Sequence, residues 1–305
     1  MPMDLIAFQN HYPFAVPTIA FIFGSAFGSF LNVVVYRLPK MMLQEWHGQA
    51  IEIIEEVDED AALSQRLRQH LNESDEPLNL TVPSSRCPDC GARIRPWHNI
   101  PILSWFMLQG QCTDCDTAIS PRYPIVEFGT ALLTMLVIIQ FGASLQGITA
   151  CFFTWALIAL ALIDFDTQLL PDDITLLFLW LGLIANFFSL FIPLEEAFLG
   201  AIIGYMSLWT IYQLFKLVTG KEGLGFGDFK MLAMLGAWLG LSAIPLIIIV
   251  SSFAGAIFGG VLLLFGWNRE KPIQFGPFLA IAGWIALMWG DQLTILYLDL
   301  AIRSV

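Results

Sequence analysis

Charged residues are scarce in this chain. Only 13% of its 305 residues are Asp, Glu, Lys or Arg, whereas a soluble domain carries about 25%. The hydrophobic share is 57% and the mean hydropathy is +0.70, which is more apolar surface than a water-soluble fold can bury. Basic residues are scarcer still, 14 against 26 acidic ones, and nucleic-acid-binding proteins are basic. The composition excludes a soluble enzyme, a disordered protein and a nucleic-acid binder, and it predicts a polytopic membrane protein.

The acidic excess lies mostly in one segment. Between Glu45 and Glu76, ten acidic residues face two basic ones, a net charge of −8, while the other sixteen acidic and twelve basic residues give −4. Apolar residues recur in this region at helix-like spacing. The pattern predicts an acidic, solvated helical part over residues 41–80.

Long apolar runs account for most of the remaining sequence. A spanning helix needs about 20 apolar residues, and the candidate spans lie near 16–36, 124–141, 148–163, 174–192, 197–217, 229–241, 244–266 and 276–292. No basic residue precedes the first span, the span is too long for a signal peptide, and no A-x-A site follows it, so we do not expect it to be cleaved. These features predict an all-α membrane protein with about eight transmembrane helices.

The few basic residues predict the orientation. If the N-terminus is outside and eight spans alternate, thirteen of the 14 Lys and Arg residues fall inside or at an inner boundary, as the positive-inside rule requires. The predicted organisation is a first span over 1–39, a cytoplasmic insert over 40–122 and a transmembrane core over 123–305.

Four of the five cysteines form two C-x-x-C pairs separated by 21 residues. This spacing is typical of a four-thiolate zinc site with one tight turn per pair, and Gly91 suits the first turn. The alternative is two disulfides, which the reducing environment of a cytoplasmic insert disfavours. Four protein ligands leave no open coordination position, so the predicted zinc module (84–118) is structural. The predicted ligands are Cys87, Cys90, Cys112 and Cys115.

Two carboxylates lie at predicted membrane boundaries, where acidic residues are costly and often functional. Asp164 ends the third span, and Asp228 follows the alternating glycines of Gly223–Gly227 at the start of the sixth. Two adjacent carboxyl groups share a proton and can act as the acid and base of an aspartic protease. An isolated Asp at a helix end is as readily a cap, so both interpretations are open. The glycines are not a dinucleotide-binding loop, because no βαβ unit surrounds them.

Several motifs, in the same order along nearly the whole chain, resemble those of bacterial type IV prepilin peptidases. Gly223–Lys230 resembles the GxGD motif of intramembrane aspartyl proteases, a group that includes presenilins. The other matching segments are 28–39, the two cysteine pairs, 97–105, 120–127 and 164–172.

The resemblance implies a bifunctional enzyme of the bacterial inner membrane. Such an enzyme removes the basic leader of type IV prepilins or type II secretion pseudopilins on the cytoplasmic side. It then methylates the new N-terminal amine with S-adenosylmethionine. The implied catalytic residues are Asp164 and Asp228, and Asp166 and Asp172 are rivals for the first position. Asp164 is preferred because it heads the matching motif and directly ends the apolar span. Asp166, Asp172 and Asp173 are expected to form an acidic face that attracts the basic leader.

The methyltransferase site has no Rossmann-type glycine loop. The resemblance implies determinants in the insert, where the candidates are Trp97, Asn99 and Trp105. Alternatively, the tryptophans pack the zinc module at the membrane face.

Three further residues lie in or near the first two spans. Glu127 either pairs with Arg122 or faces the aspartate pair. Gly24 and Gly28 are expected to pack the first span against a neighbour.

Two other functions are open. One is a GxGD intramembrane protease without methyltransferase activity, such as a signal-peptide peptidase, which would lack the cysteine pairs and the N-terminal motif. The other is a non-enzymatic membrane scaffold or transporter with a zinc module. A transporter commonly has internal repeats, and none is visible in the sequence.

Overall fold

The computed structural model describes residues 13–57, 78–265 and 274–303. Of the acidic part predicted over residues 41–80, residues 58–77 lie outside the described residues. Residues 41–57 continue the first helix. The described residues form no strand and contain two isolated β-bridges. Their α-helices are α1 (Ala15–Val57), α2 (Leu103–Met107), α3 (Arg122–Phe141), α4 (Leu145–Thr167), α5 (Asp172–Phe187), α6 (Leu194–Thr219), α7 (Phe226–Leu239), α8 (Ala243–Leu264) and α9 (Gly276–Arg303).

Within the described residues, six helices are long and apolar enough to cross a membrane: α1, α3, α4, α6, α8 and α9. The predicted all-α polytopic membrane architecture is therefore confirmed. The prediction of eight spans is not. Helices α5 and α7 have 16 and 14 residues, so they rise about 24 and 21 Å, less than the roughly 30 Å of a hydrocarbon core.

The chain divides into two compact units, one of which runs from Phe23 to Ala131. In this unit the predicted packing of Gly28 is confirmed, because a Cβ there would come within 2.7 Å of the Cα of Glu127 on α3. The buried guanidinium of Arg37 on α1 donates to the carbonyl oxygens of Asn79 at 2.9 Å and Pro83 at 2.6 Å. Arg37 thereby ties the segment that leads into the cysteine pairs to α1.

In the other unit, α7 is the innermost helix. Helices α5, α6, α8 and α9 all pack against it, and its residues from Asp228 to Trp238 are buried except for Lys230. A helix enclosed by other helices need not match the bilayer by itself, which explains why α7 is short. Asn186, fully buried near the end of α5, donates to the carbonyls of Ala237 and Trp238. These bonds join the C-terminal ends of α5 and α7.

The contact between α6 and α7 depends on glycines that face each other. A Cβ on Gly200 would come within 2.5 Å of the carbonyl oxygen of Gly236, and a Cβ on Gly204 within 2.7 Å of the carbonyl oxygen of Leu232. Small residues allow two helix backbones to approach in this way. The close approach brings α6 against the helix that carries Asp228.

Gly236→Ala is expected to destabilise the protein by about 1–3 kcal/mol, as overpacking of a tight interior typically does. The added methyl group would overlap the carbonyl oxygen of Gly200. Thermal unfolding in lipid nanodiscs measures the effect. The matched control is Gly129→Ala on α3, where an added Cβ meets nothing within 4 Å. Equal stability of the two variants would contradict the packing described here.

Candidate active site

Asp164 and Asp228 are brought together. Asp164 lies in the last turn of α4 and Asp228 in the first turn of α7. Their exposed fractions are only 5% and 7%, and the two carboxyl groups lie close enough to interact electrostatically. Two neighbouring buried carboxyl groups can share one proton.

A backbone N–H at the start of a helix also binds each carboxyl group. The N–H of Gly276, which begins α9, donates to Oδ2 of Asp164 at 3.0 Å, and the N–H of Gly225, the N-cap of α7, donates to Oδ2 of Asp228 at 3.2 Å. Helix N-termini carry partial positive charge. Each Asp therefore caps a helix, and the two side chains also form a pair. The two interpretations from the sequence, a helix cap and a carboxyl pair, are therefore compatible. Both bonds use Oδ2, which leaves Oδ1 of each carboxyl group for water or a shared proton.

Leu170, in the loop between α4 and α5, packs between the two glycines that flank the pair. A Cβ on Gly227 would come within 2.7 Å of Cβ of Leu170, and a Cβ on Gly276 would come within 3.2 Å of Cδ2 of Leu170. Sequence reasoning missed Leu170 and Gly276. The Gly-Pro start of a helix was the one available signal for Gly276, since Pro favours the first helical turn.

Gly276→Ala is expected to lower the turnover of the site about 10²-fold, because small displacements of a reacting group have costs of that size. The new Cβ would lie 2.6 Å from Oδ2 of Asp164, so the carboxyl group must move. The rate of substrate turnover measures the effect, and thermal unfolding checks that the variant is folded. The control is Gly255→Ala on α8, where an added Cβ makes ordinary contact with Phe278 at 3.5 Å. Full turnover by Gly276→Ala would contradict this placement of Asp164.

The rival aspartates have different surroundings. Asp166 and Asp172 are exposed, and Asp172 forms an ion pair with Lys230, whose Nζ lies 2.7 Å from both carboxylate oxygens. The expected acidic face of Asp166, Asp172 and Asp173 is therefore partly neutralised by a basic residue 58 positions away in sequence. This ion pair joins the N-terminal ends of α5 and α7.

The four paired cysteines form one cluster. Their Sγ atoms all lie within 4.8 Å of one another, and those of Cys87 and Cys115 are 3.8 Å apart. A tetrahedron with metal–sulfur bonds of about 2.3 Å has sulfur atoms about 3.8 Å apart, so the cluster fits a metal ion. All five cysteines are free thiols, so the alternative of two disulfides is wrong, and Cys151 is buried in α4.

The two cysteine turns repeat one geometry. The backbone N–H of Cys87 donates to the carbonyl of Ala92, and that of Cys112 to the carbonyl of Thr117. Gly91 lies in the first turn, which it was expected to suit. The residue after each pair has positive φ: 71° at Gly91 and 57° at Asp116, a residue type that tolerates this region. Hydrogen bonds from the side chain and backbone of Thr117 lower the pKa of Cys115.

Glu127, buried on α3, accepts a hydrogen bond from the backbone N–H of Ile102 at 2.6 Å. Sequence reasoning did not suggest this partner. Ile102 has φ 64°, a conformation that β-branched residues avoid. The Glu127 carboxyl group therefore holds the chain at Ile102, just before α2.

The candidate methyltransferase residues fall into two groups. Trp97 and Asn99 are exposed, in a short 3-10 turn at Pro96–Asn99. The indole N–H of Trp105 donates to the carbonyl of Ile119 at 3.0 Å, and its ring packs against Gly110. These contacts support a packing role for Trp105 within the cysteine module.

Two family models match this chain, one over its N-terminal part and one over its C-terminal part. The family model described as "Bacterial Peptidase A24 N-terminal domain" matches residues 22–141, and the one described as "Type IV leader peptidase family" matches residues 151–260. No solved structure is a significant match.

Curated relatives match over nearly their full length, and each is called a prepilin leader peptidase/N-methyltransferase. The protein from Pseudomonas aeruginosa is 50% identical over 98% of this chain and 99% of its own. The protein from Stutzerimonas stutzeri is 49% identical over the same shares. The one from Pseudomonas putida is 48% identical over 95% of this chain and 96% of its own.

Proposed function

Because the chain belongs to the type IV leader peptidase family, we propose that it cleaves the leader from type IV prepilins or type II secretion pseudopilins and then methylates the new N-terminal amine. The observation that carries the peptidase half is the buried pair formed by Asp164 and Asp228. The names of the curated relatives, which include both activities, support the methyltransferase half.

The geometry supports a water-based aspartyl mechanism. One carboxylate of the pair takes a proton from a bound water, which attacks the carbonyl carbon of the scissile peptide bond. The other carboxyl group, protonated at the start, donates its proton to the carbonyl oxygen, which gives a tetrahedral intermediate. The C–N bond of this intermediate then breaks as the leaving amine takes a proton from the pair. The hydrogen bonds from Gly276 and Gly225 hold both groups in place while the proton moves. In this proposal Asp164 and Asp228 are the catalytic residues.

Two further groups belong to the proposal. We assign zinc to the cluster of Cys87, Cys90, Cys112 and Cys115, because its four thiols and tetrahedral spacing suit a closed structural zinc site. Bound there, the ion stabilises the fold of the module. S-adenosylmethionine supplies the methyl group in this proposal, and the exposed Trp97 and Asn99 are candidates for its site.

The proposed location is the bacterial inner membrane, with the N-terminus outside and the cysteine module and the aspartate pair on the cytoplasmic side. The distribution of Lys and Arg supports this orientation. A prepilin has its apolar helix in the bilayer and its basic leader in the cytosol, so a pair at the inner boundary meets the junction between them.

The test is to incubate the purified full chain with a prepilin in nanodiscs, with and without S-adenosylmethionine. Mass spectrometry follows leader removal and methylation as separate products. We expect cleavage under both conditions and a methylated N-terminus only with the methyl donor. Cleavage without any methylation would contradict the methyltransferase half and favour a GxGD peptidase without that activity. The absence of both products would contradict the whole proposal.

A further inference from the structure

The cysteine module carries an apolar surface outside the aspartate site. On the short helix α2, Leu103, Phe106 and Met107 have exposed fractions of 61%, 65% and 80%. They are spaced i, i+3 and i+4, so they share one face of the helix. Trp97, just before α2, is 59% exposed, whereas Trp105 points inward to Gly110 and Ile119. The segment 96–107 is thus amphipathic, with its apolar side uncovered.

The hydrogen bond of Glu127 indicates the depth of this segment. Glu127 lies five residues inside α3, which begins at Arg122, or about 7 Å along the helix axis. The backbone N–H of Ile102 binds its carboxyl group, so the chain just before α2 lies at that level of a membrane-spanning helix. Ile125, on the same turn of α3, has an exposed apolar side chain.

The charges around the segment suit a bilayer surface. Residues 91–111 contain two basic residues, Arg93 and Arg95, and no acidic residue, in a chain whose net charge is −12. Both arginines are exposed and directly precede the apolar segment. Arginine next to exposed aromatic and aliphatic side chains is typical of elements that lie in the headgroup region of anionic membranes.

We propose that residues 100–107 are an interfacial membrane anchor, in which the apolar face of α2 lies in the bilayer and Arg93 and Arg95 contact anionic lipid headgroups. Glu127 has a specific role in this arrangement. A backbone N–H immersed in apolar surroundings needs an internal partner, and the Glu127 carboxyl group provides it for Ile102. The anchor holds the cysteine module against the membrane independently of the peptidase chemistry.

Site-specific photocrosslinking tests the anchor in the full chain. Benzoylphenylalanine replaces Phe106 in nanodiscs of phosphatidylethanolamine and phosphatidylglycerol, and mass spectrometry identifies the adducts. The positive control is the same residue at Phe253, exposed on the spanning helix α8, and the negative control is Glu52, exposed near the C-terminal end of α1 and outside the cysteine cluster. We expect lipid adducts at 106 and 253 and none at 52. No lipid adduct at 106, or adducts to an added prepilin in preference to lipid, would overturn the proposal.

A second arm tests Glu127 as a positioning residue. Glu127→Gln keeps an oxygen acceptor for Ile102, whereas Glu127→Leu removes it. We expect several-fold less lipid adduct at position 106 with Leu and no loss with Gln, at equal metal content of the cysteine cluster. Equal adduct yields in the two variants would contradict the role of Glu127.

Discussion

Asp164→Asn and Asp228→Asn are each expected to reduce leader cleavage by about 10³-fold or more, within the range that general acid–base catalysis contributes. An amide cannot take a proton from water, and it cannot share one with the remaining carboxyl group. Asn still offers an oxygen to the N–H of Gly276 or Gly225, so the helix caps survive. Initial rates on a purified prepilin measure the loss.

The rival aspartates provide the comparison. Asp166→Asn and Asp172→Asn are expected to retain cleavage within about tenfold, because exposed ion pairs such as Asp172–Lys230 contribute only about 0–1 kcal/mol. All four variants should match the unmodified chain in thermal unfolding. Substantial cleavage by Asp164→Asn, together with loss of cleavage in Asp166→Asn, would move the first catalytic position to Asp166.

Cys112→Ser is expected to remove the metal ion and unfold the cysteine module. Structural zinc contributes about 10–16 kcal/mol of apparent folding free energy in small zinc domains, far more than the hydrogen bonds of two short turns. Elemental analysis of the purified protein should fall from one equivalent of zinc to near zero. In limited proteolysis, the protease should cut at new sites between residues 84 and 118, which unfolding of the module exposes.

Cys151→Ser is the matched control, because Cys151 is buried in α4 and belongs to no cluster in the described structure. It should keep a full equivalent of zinc and leave the module resistant to protease. Acidification should also release the metal, since only deprotonated thiols bind it. A protein that folds normally without any metal would refute the structural assignment of the cluster.

The sequence predicted what depends on local pattern. Apolar runs predicted the spanning helices, and the C-x-x-C spacing predicted that four thiols would meet. The glycine after the first cysteine pair suited a tight turn, and Gly91 lies in one, with a φ of 71°. Each of these features is encoded within a few neighbouring residues, where helix periodicity and turn geometry are reliable guides.

Contacts between distant segments were not predictable in the same way. Lys230 meets Asp172, Glu127 meets the backbone of Ile102, and Gly276 meets Asp164 across 112 positions. Backbone partners have no signature in the side-chain sequence, and helix order does not indicate which helices are neighbours. The number of spanning helices was overestimated for a related reason, since the apolar composition of α7 does not show that its neighbours enclose it.

Because neighbouring helices enclose α7, the position of Asp228 need not follow the thickness of the bilayer. When a membrane is thicker or thinner than its proteins, lipid-facing helices tilt or deform the surrounding lipid to compensate. Helix α8, most of whose residues are not buried, is expected to adjust in this way. From Asp228 to Trp238, α7 is buried by its neighbours except at Lys230, so we expect Asp228 to keep its position relative to them in membranes of different acyl-chain length.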